Sequence, residues 1–168
     1  MSRIWFDTEF IDTGSVVHLL SIGLVREDGA TYYAEPAETD HGLACEWVRK
    51  NVLPHMRGGS TVKPRDQIRD EIVTFCGERP EFWGYFVAYD WLVLCQLFGR
   101  MLDVPPTWPN FAFDVQAIRA LMRVRELPKQ TTFEHNALND AVWTRDAWAF
   151  LQHEQMMRSS SGAKDWPT

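Results

Sequence analysis

Asp7 and Glu9 stand two positions apart in Trp5-Phe6-Asp7-Thr8-Glu9-Phe10. In a β-strand residues i and i+2 share one face, so these carboxylates would point the same way, roughly 7 Å apart. That spacing suits a pair of oxygen-preferring cations held about 4 Å from each other. The plain alternative is two solvated carboxylates at a strand end, because a chain of this length holds about one Asp-x-Glu by chance. The flanking Ile4, Trp5, Phe6 and Phe10 weigh against it: they imply burial nearby, and a carboxylate beside a core is costly unless paired or liganded. Asp90 follows the apolar run Phe82 to Ala88 and opens the stretch Trp91 to Phe98, a place where Asp also serves as an ordinary helix cap. His135 precedes a helical stretch carrying Asp140, about one and a half turns further on, although a surface His with Asn and Asp near a helix start is equally ordinary. Together these are the groups of a metal-assisted hydrolysis: oxygens to hold cations and an imidazole able to accept a proton at neutral pH.

Such side chains need elements to bring them together. Arg3 to Thr8, His18 to Val25 and Ala30 to Glu35 are rich in β-formers, and the turn Glu27-Asp28-Gly29 joins the last two, so the chain should open as an antiparallel meander. Leu43, Trp47 and Val48 are spaced helically within His41 to Val52, until Pro54 closes the segment. After a Gly-Gly-Ser-Thr loop, Pro64 suits the first turn of a helix with Ile68, Ile72, Val73 and Phe75 as its apolar stripe and Gly77 as its stop. Phe82 to Ala88 reads as an aromatic strand and Trp91 to Phe98 as a buried helix with Asp90 in its first turn. Residues 103–110 are a proline-rich loop, and Val115 to Met122 and Ala137 to Leu151 are further helices. Ala137, Ala141 and Ala147 would let the last helix approach the sheet closely and set Asp140 over Asp7. The order βββααβααα predicts an α/β fold in which a mixed sheet is flanked by helices, with its ligands at strand ends. One domain over residues 1–155 is expected, followed by a flexible polar tail over 156–168.

Composition narrows the classes. The 168 residues, 45% hydrophobic and 24% charged, fit one globular domain with one core. No apolar run approaches the roughly 20 residues that span a bilayer, and the N-terminus opens with a strand-like segment, so a soluble, cytoplasmic protein is expected. Cys45, Cys76 and Cys95 lie far apart without Cys-x-x-Cys spacing, which argues against a disulfide framework or zinc site; they read as reduced packing residues. The net charge of −6 is unfavourable for a protein that grips phosphates through a broad basic surface. It is compatible with a site that reaches phosphate through recruited cations.

Taken in order, Phe6-Asp7-Thr8-Glu9-Phe10, Ala88-Tyr89-Asp90-Trp91-Leu92-Val93-Leu94 and His135-x4-Asp140 resemble the three motifs of the DEDDh 3′–5′ exonuclease superfamily. Asp7-Thr8-Glu9-Phe10-Ile11, Leu20-Ser21-Ile22-Gly23, Tyr32-Tyr33-Ala34, Trp47-Val48-Arg49 and Val52-Leu53-Pro54 look closer still to the bacterial polyadenylate-specific 3′ exoribonuclease family called RNase AS. Phe86 stands where many superfamily members place Asn. The resemblance implies an RNase H-like fold, two Mg²⁺ or Mn²⁺ ions, release of nucleoside monophosphates from the 3′ end of single-stranded RNA, a preference for poly(A), and a homodimer.

On that reading four converging carboxylates cannot all stay ionised without cations, since close like charges raise one another's pKa. Asp7 would bridge two ions, Glu9 and Asp140 would complete one, and Asp90 would hold the other, with His135 as general base. Phe10, Ser21, Tyr89 and Trp91 neighbour these positions and could stack on the terminal base or contact its sugar, with core packing as the alternative. Arg65 and Arg69 offer either phosphate contacts or a solvated helix face.

Overall fold

A computed structural model describes residues 2–160. The opening meander is β1 (Ser2–Asp12), β2 (Val17–Arg26) and β3 (Thr31–Pro36). Next come α1 (Glu46–Asn51), the short β4 (Val62–Lys63), α2 (Arg65–Cys76), β5 (Pro80–Gly84) and α3 (Ala88–Gln96). The two-residue β6 (Phe113–Asp114), α4 (Val115–Leu121) and α5 (Ala137–Ser160) complete the order. The strands form one mixed sheet, β4-β3-β2-β1-β5-β6, in which β5 lies parallel to β1 and the meander is antiparallel.

Alternation along β1 decides where the chemistry faces. Ile4 and Phe6 join Ile22 and Leu24 of β2, Ile68 and Ile72 of α2, and Val93 and Leu94 of α3 in a core on one side of the sheet. Trp5 points the other way, into a second core with Trp83, Val115 of α4, and Ala147 and Leu151 of α5. Successive side chains of a strand alternate faces, so Asp7 and Glu9 continue the Trp5 side, the side that α5 covers. The ladder between β1 and β2 slips between Glu9 and Phe10: Glu9 pairs with Ser21 but Phe10 pairs with Leu19. A bulge of this kind bends a strand and re-aims its side chains. Beyond it, Ile11 and Leu20 pack under Ala44, Val48 and Val52 in a smaller cluster.

Several boundaries depart from the sequence expectation. The segment His41 to Val52 divides into a 3-10 turn, His41–Leu43, and the six-residue α1. The aromatic strand stops at Gly84 because Phe86 adopts a left-handed φ of 54°, a conformation that cannot continue a strand. β4 and β6 form in stretches to which the sequence assigns no element, just past the expected loops. α5 extends through Met156 to Ser160, part of the expected tail; nothing in Gln152-His153-Glu154-Gln155-Met156-Met157 breaks a helix. Residues 161–168 lie outside the described residues. Cys76 and Cys95 are buried and free, whereas Cys45 is free and exposed. No helix among the described residues is long and apolar enough to cross a membrane.

Candidate active site

Three elements deliver the carboxylates: β1 supplies Asp7 and Glu9, and Asp90 and Asp140 lie in the first turns of α3 and α5. The positive end of a helix macrodipole favours an anionic side chain in such first turns. One ligand atom each from Glu9, His135 and Asp140 falls within 4.8 Å of the others, a grouping able to hold a metal ion. Asp7 faces the same cluster, because the charges of Asp90, Glu9 and Asp140 all act on it.

Burial pushes every one of these carboxylates toward its protonated form, and repulsion from the others adds to it at Asp7 and Glu9. Asp7 is raised well above its ordinary value, by burial first and then by Asp90, Glu9 and Asp140. Glu9, 9% exposed, is pushed up to about 8 by burial and then by Asp140. Burial raises Asp90, 6% exposed, to about 6 even though hydrogen bonds from Thr8 pull it back down. Asp140 is raised by burial against the opposing hydrogen bonds of Gln130 and the His135 backbone.

Several side chains that sequence reasoning passed over position this set. The Thr8 backbone N–H and its Oγ1–H both donate to Asp90 Oδ1, at 2.9 and 2.6 Å. Asp140 is held on both oxygens, Oδ2 by the His135 N–H at 2.9 Å and Oδ1 by Gln130 Nε2 at 2.5 Å. His135 has a left-handed φ of 63°, a strained conformation for a bulky side chain and one that clusters at functional sites. Opposite Asp7 in the ladder sits Gly23, where an added Cβ would land on the Ala137 carbonyl and the Leu138 amide of α5. The fully buried Ala137, Ala141 and Ala147 line that close approach, as their small size predicts. Asp114 caps α4 by accepting from the Gln116 N–H at 2.8 Å, and it also accepts from the Phe86 N–H at 3.1 Å. It thereby ties the left-handed turn ahead of α3 to the edge of the sheet. The signal available for Gly23 was its place in Leu20-Ser21-Ile22-Gly23, and for Thr8 its place in Asp7-Thr8-Glu9; Gln130 and Asp114 gave none.

An open cleft of about 510 Å³ lies over the site, lined by Asp7, His135 and Asp140 together with Tyr85, Lys129, Gln130 and Trp143. Of the expected substrate contacts, Phe10 and Tyr89 stack on each other at 5.5 Å and Tyr89 is 49% exposed. Ser21 and Trp91 are placed differently. Ser21 is buried inside the sheet, and Trp91 packs against the core 5.5 Å from Phe82. Trp47 and Phe133, not singled out from the sequence, are 55% and 76% exposed; the Trp47 ring meets His135 edge-on at 5.0 Å and Phe133 stacks on His55. Arg65 donates to the Gln96 carbonyl and Arg69 pairs with Asp70, both on α2 and on the side of the sheet away from α5.

Residues 2–152, which carry all of these groups, match the family model of the 3′-5′ exoribonuclease Rv2179c-like domain. The chain belongs to this family. Over 145 residues it is 37% identical to the 3′-5′ exoribonuclease Rv2179c of Mycobacterium tuberculosis H37Rv, covering 83% of this chain and 86% of that protein, and equally so to MT2234.1 of strain CDC 1551. Among solved structures, exonuclease I superposes with a TM-score of 0.62 at 16% identity, over 94% of this chain and 43% of that one. E. coli exonuclease I in complex with a dT13 oligonucleotide gives 0.58 at 12% identity, over 94% and 41%. The Neurospora crassa Pan2 catalytic unit gives 0.56 at 14%, over 96% and 28%. This chain therefore spans less than half the length of exonuclease I, and at these identities the likeness concerns the nuclease fold, the RNase H-like mixed sheet expected from sequence. In this Rv2179c-like domain the donor set fits hard divalent cations, which take carboxylate oxygens: four carboxylates share one buried cluster, all driven toward protonation where no cation neutralises them.

Proposed function

We propose that this member of the Rv2179c-like family is a metal-dependent 3′–5′ exoribonuclease that releases nucleoside monophosphates from single-stranded RNA, with a preference for poly(A). The observation that carries the reading is the grouping of Glu9, His135 and Asp140 within 4.8 Å of one another, beside an Asp7 on which Asp90, Glu9 and Asp140 all act, in a cleft lined by Asp7, His135 and Asp140. Asp7, Glu9, Asp90 and Asp140 would hold two divalent cations of the Mg²⁺ or Mn²⁺ kind. Bound there, the cations would supply neutralisation of the phosphate charge and a water acidic enough to ionise near neutral pH.

The chain's own groups do the rest. His135, beside Glu9 and Asp140, accepts on an imidazole nitrogen the proton of the water that attacks the scissile phosphorus. The new bond joins that water oxygen to phosphorus, the bond to the 3′ oxygen of the preceding nucleotide breaks, that oxygen takes a proton from solvent, and His135 returns its own to solvent. Tyr89, which stacks on Phe10 and neighbours Asp90, Trp47, whose ring meets His135, and Phe133, two residues before His135, would supply ring faces for unpaired bases, each stack contributing about 1 to 3 kcal/mol. The adenine preference is supported by the likeness of the motifs to RNase AS. The homodimer is supported by the same likeness and by exposed Phe111 and Phe113 at the β6 edge, since exposed apolar patches mark association surfaces.

The test is degradation of 3′-end poly(A), poly(U), poly(C) and single-stranded DNA by purified protein, with Mg²⁺ or with EDTA, beside Asp7→Ala. Stepwise, Mg²⁺-dependent loss of poly(A) that Asp7→Ala abolishes is the expected result. RNA bound but never cut would overturn the reading in favour of a nucleic-acid-binding module on a nuclease fold.

A further inference from the structure

Every acidic group at the site repels the phosphates of an incoming strand, and of the residues lining the cleft only Lys129 carries a positive charge. It lies in the irregular segment between α4 and α5, where a lysine would ordinarily wander with its loop. Here both of its neighbours are held, one by its backbone and the other by its side chain. On one side the Pro128 carbonyl accepts from Trp143 Nε1 of α5 at 2.8 Å. On the other, Gln130 Nε2 donates to Asp140 Oδ1 at 2.5 Å. The three residues thus form a strap along the wall of the cleft, anchored to α5 at Trp143 and at the site carboxylate Asp140. Arg119, also in this region, is committed elsewhere, donating to the Arg125 carbonyl at 2.8 Å.

We propose that the Pro128–Gln130 strap presents Lys129 as a clamp for a backbone phosphate of the RNA strand upstream of the scissile bond. The inference rests on the exoribonuclease reading above and goes beyond it by assigning a substrate-binding residue outside the catalytic motifs. An ammonium is a compact point charge on a long stem, able to meet a phosphate without fixed geometry. Holding both neighbours in place lowers the ordering cost of that contact. The clamp also offers the acidic protein a local grip on RNA that its overall charge denies it.

The experiment compares wild type, Lys129→Ala and Lys129→Arg on two substrates: an oligoadenylate heptamer, and the p-nitrophenyl ester of adenosine 5′-monophosphate, which has a scissile phosphate but none upstream. Lys129 is exposed, so the substitutions spare the core. Lys129→Ala should raise KM for the heptamer about tenfold, the loss of one charge-assisted contact, with a clearly smaller effect on the ester. The dependence of log KM on log salt should flatten by about 0.7, the value for one phosphate contact on a single strand. Lys129→Arg should restore both. An unchanged heptamer KM and salt slope, or equal losses on both substrates, would overturn the clamp while leaving the nuclease reading standing. A wild-type protein that leaves the heptamer intact would overturn the nuclease reading itself.

Discussion

Asp90 is nearly buried and owes its ionisable character to Thr8, whose backbone and side chain converge on one oxygen. Removing the hydroxyl as Thr8→Val keeps the shape and the backbone donor but leaves the carboxylate with half of that support. Loss of about 1 to 2 kcal/mol is expected in urea unfolding, with turnover down about tenfold or more as the carboxylate shifts; Thr8→Ser should recover both. His135 makes the contrasting case, since its proposed role is a proton transfer. His135→Ala should keep the thermal stabilisation by Mg²⁺ yet lower kcat by about a hundredfold to ten-thousandfold, and a variant as active as wild type would remove His135 from the reaction. Strand alternation made Asp7 and Glu9 readable as sharing a face, but each motif was ordinary alone, and what joined the five residues into one candidate site was their order and their resemblance to the three DEDDh motifs; the structure brings Glu9, His135 and Asp140 within 4.8 Å of one another. Thr8 was in view only as the middle of Asp7-Thr8-Glu9 and Gln130 not at all, because what makes them matter is a partner far along the chain or across a loop, which no local pattern records.

At the scale of elements, the site depends on how closely the start of α5 lies against β1 and β2. Gly23 is the residue that allows it, for its missing Cβ is the space the Ala137 and Leu138 backbone fills. Two backbones cannot yield as a flexible side chain would. Gly23→Ala should therefore lift the helix start, carrying His135 and Asp140 away from Asp7 and Glu9, and cost about 1 to 3 kcal/mol or more in denaturant unfolding. Activity should fall further than stability does; a variant with wild-type turnover would show that the helix position is not limiting. The three N-terminal strands and α2 were readable from alternation and from an apolar stripe. β4 and β6 were unreadable because two residues have no period, and they exist only through pairing with neighbours that the sheet supplies. The end of β5 was misplaced for a related reason. Tyr85 and Phe86 have strong β propensity, but the hydrogen bond from Phe86 N–H to Asp114 and the left-handed turn override it.

The whole molecule feels the site through its protons. Glu9 is held at about 8 against 4.5 for the free side chain, and Asp90 at about 6 against 3.8. A group whose folded pKa is raised binds its proton more tightly in the folded state. Its contribution to stability is then complete below the unfolded value and is lost as pH rises through the folded one. Without cations, stability should decline through Asp90 as pH climbs from about 4 to 6 and through Glu9 as it climbs from about 4.5 to 8. In EDTA the melting temperature should therefore be lower at pH 8 than at pH 5, by about 5 °C or more. Mg²⁺ competes with those protons for the same oxygens, so the stabilisation it brings should grow with pH over that window. Glu9→Gln supplies the internal control: as a neutral residue of the same shape it should flatten the decline between pH 6 and 8 in EDTA and blunt the gain from Mg²⁺. A wild-type melting temperature that rises with pH in EDTA, or a Mg²⁺ effect as large at pH 5 as at pH 8, would mean that the carboxylates are neutralised by something other than protons and divalent ions.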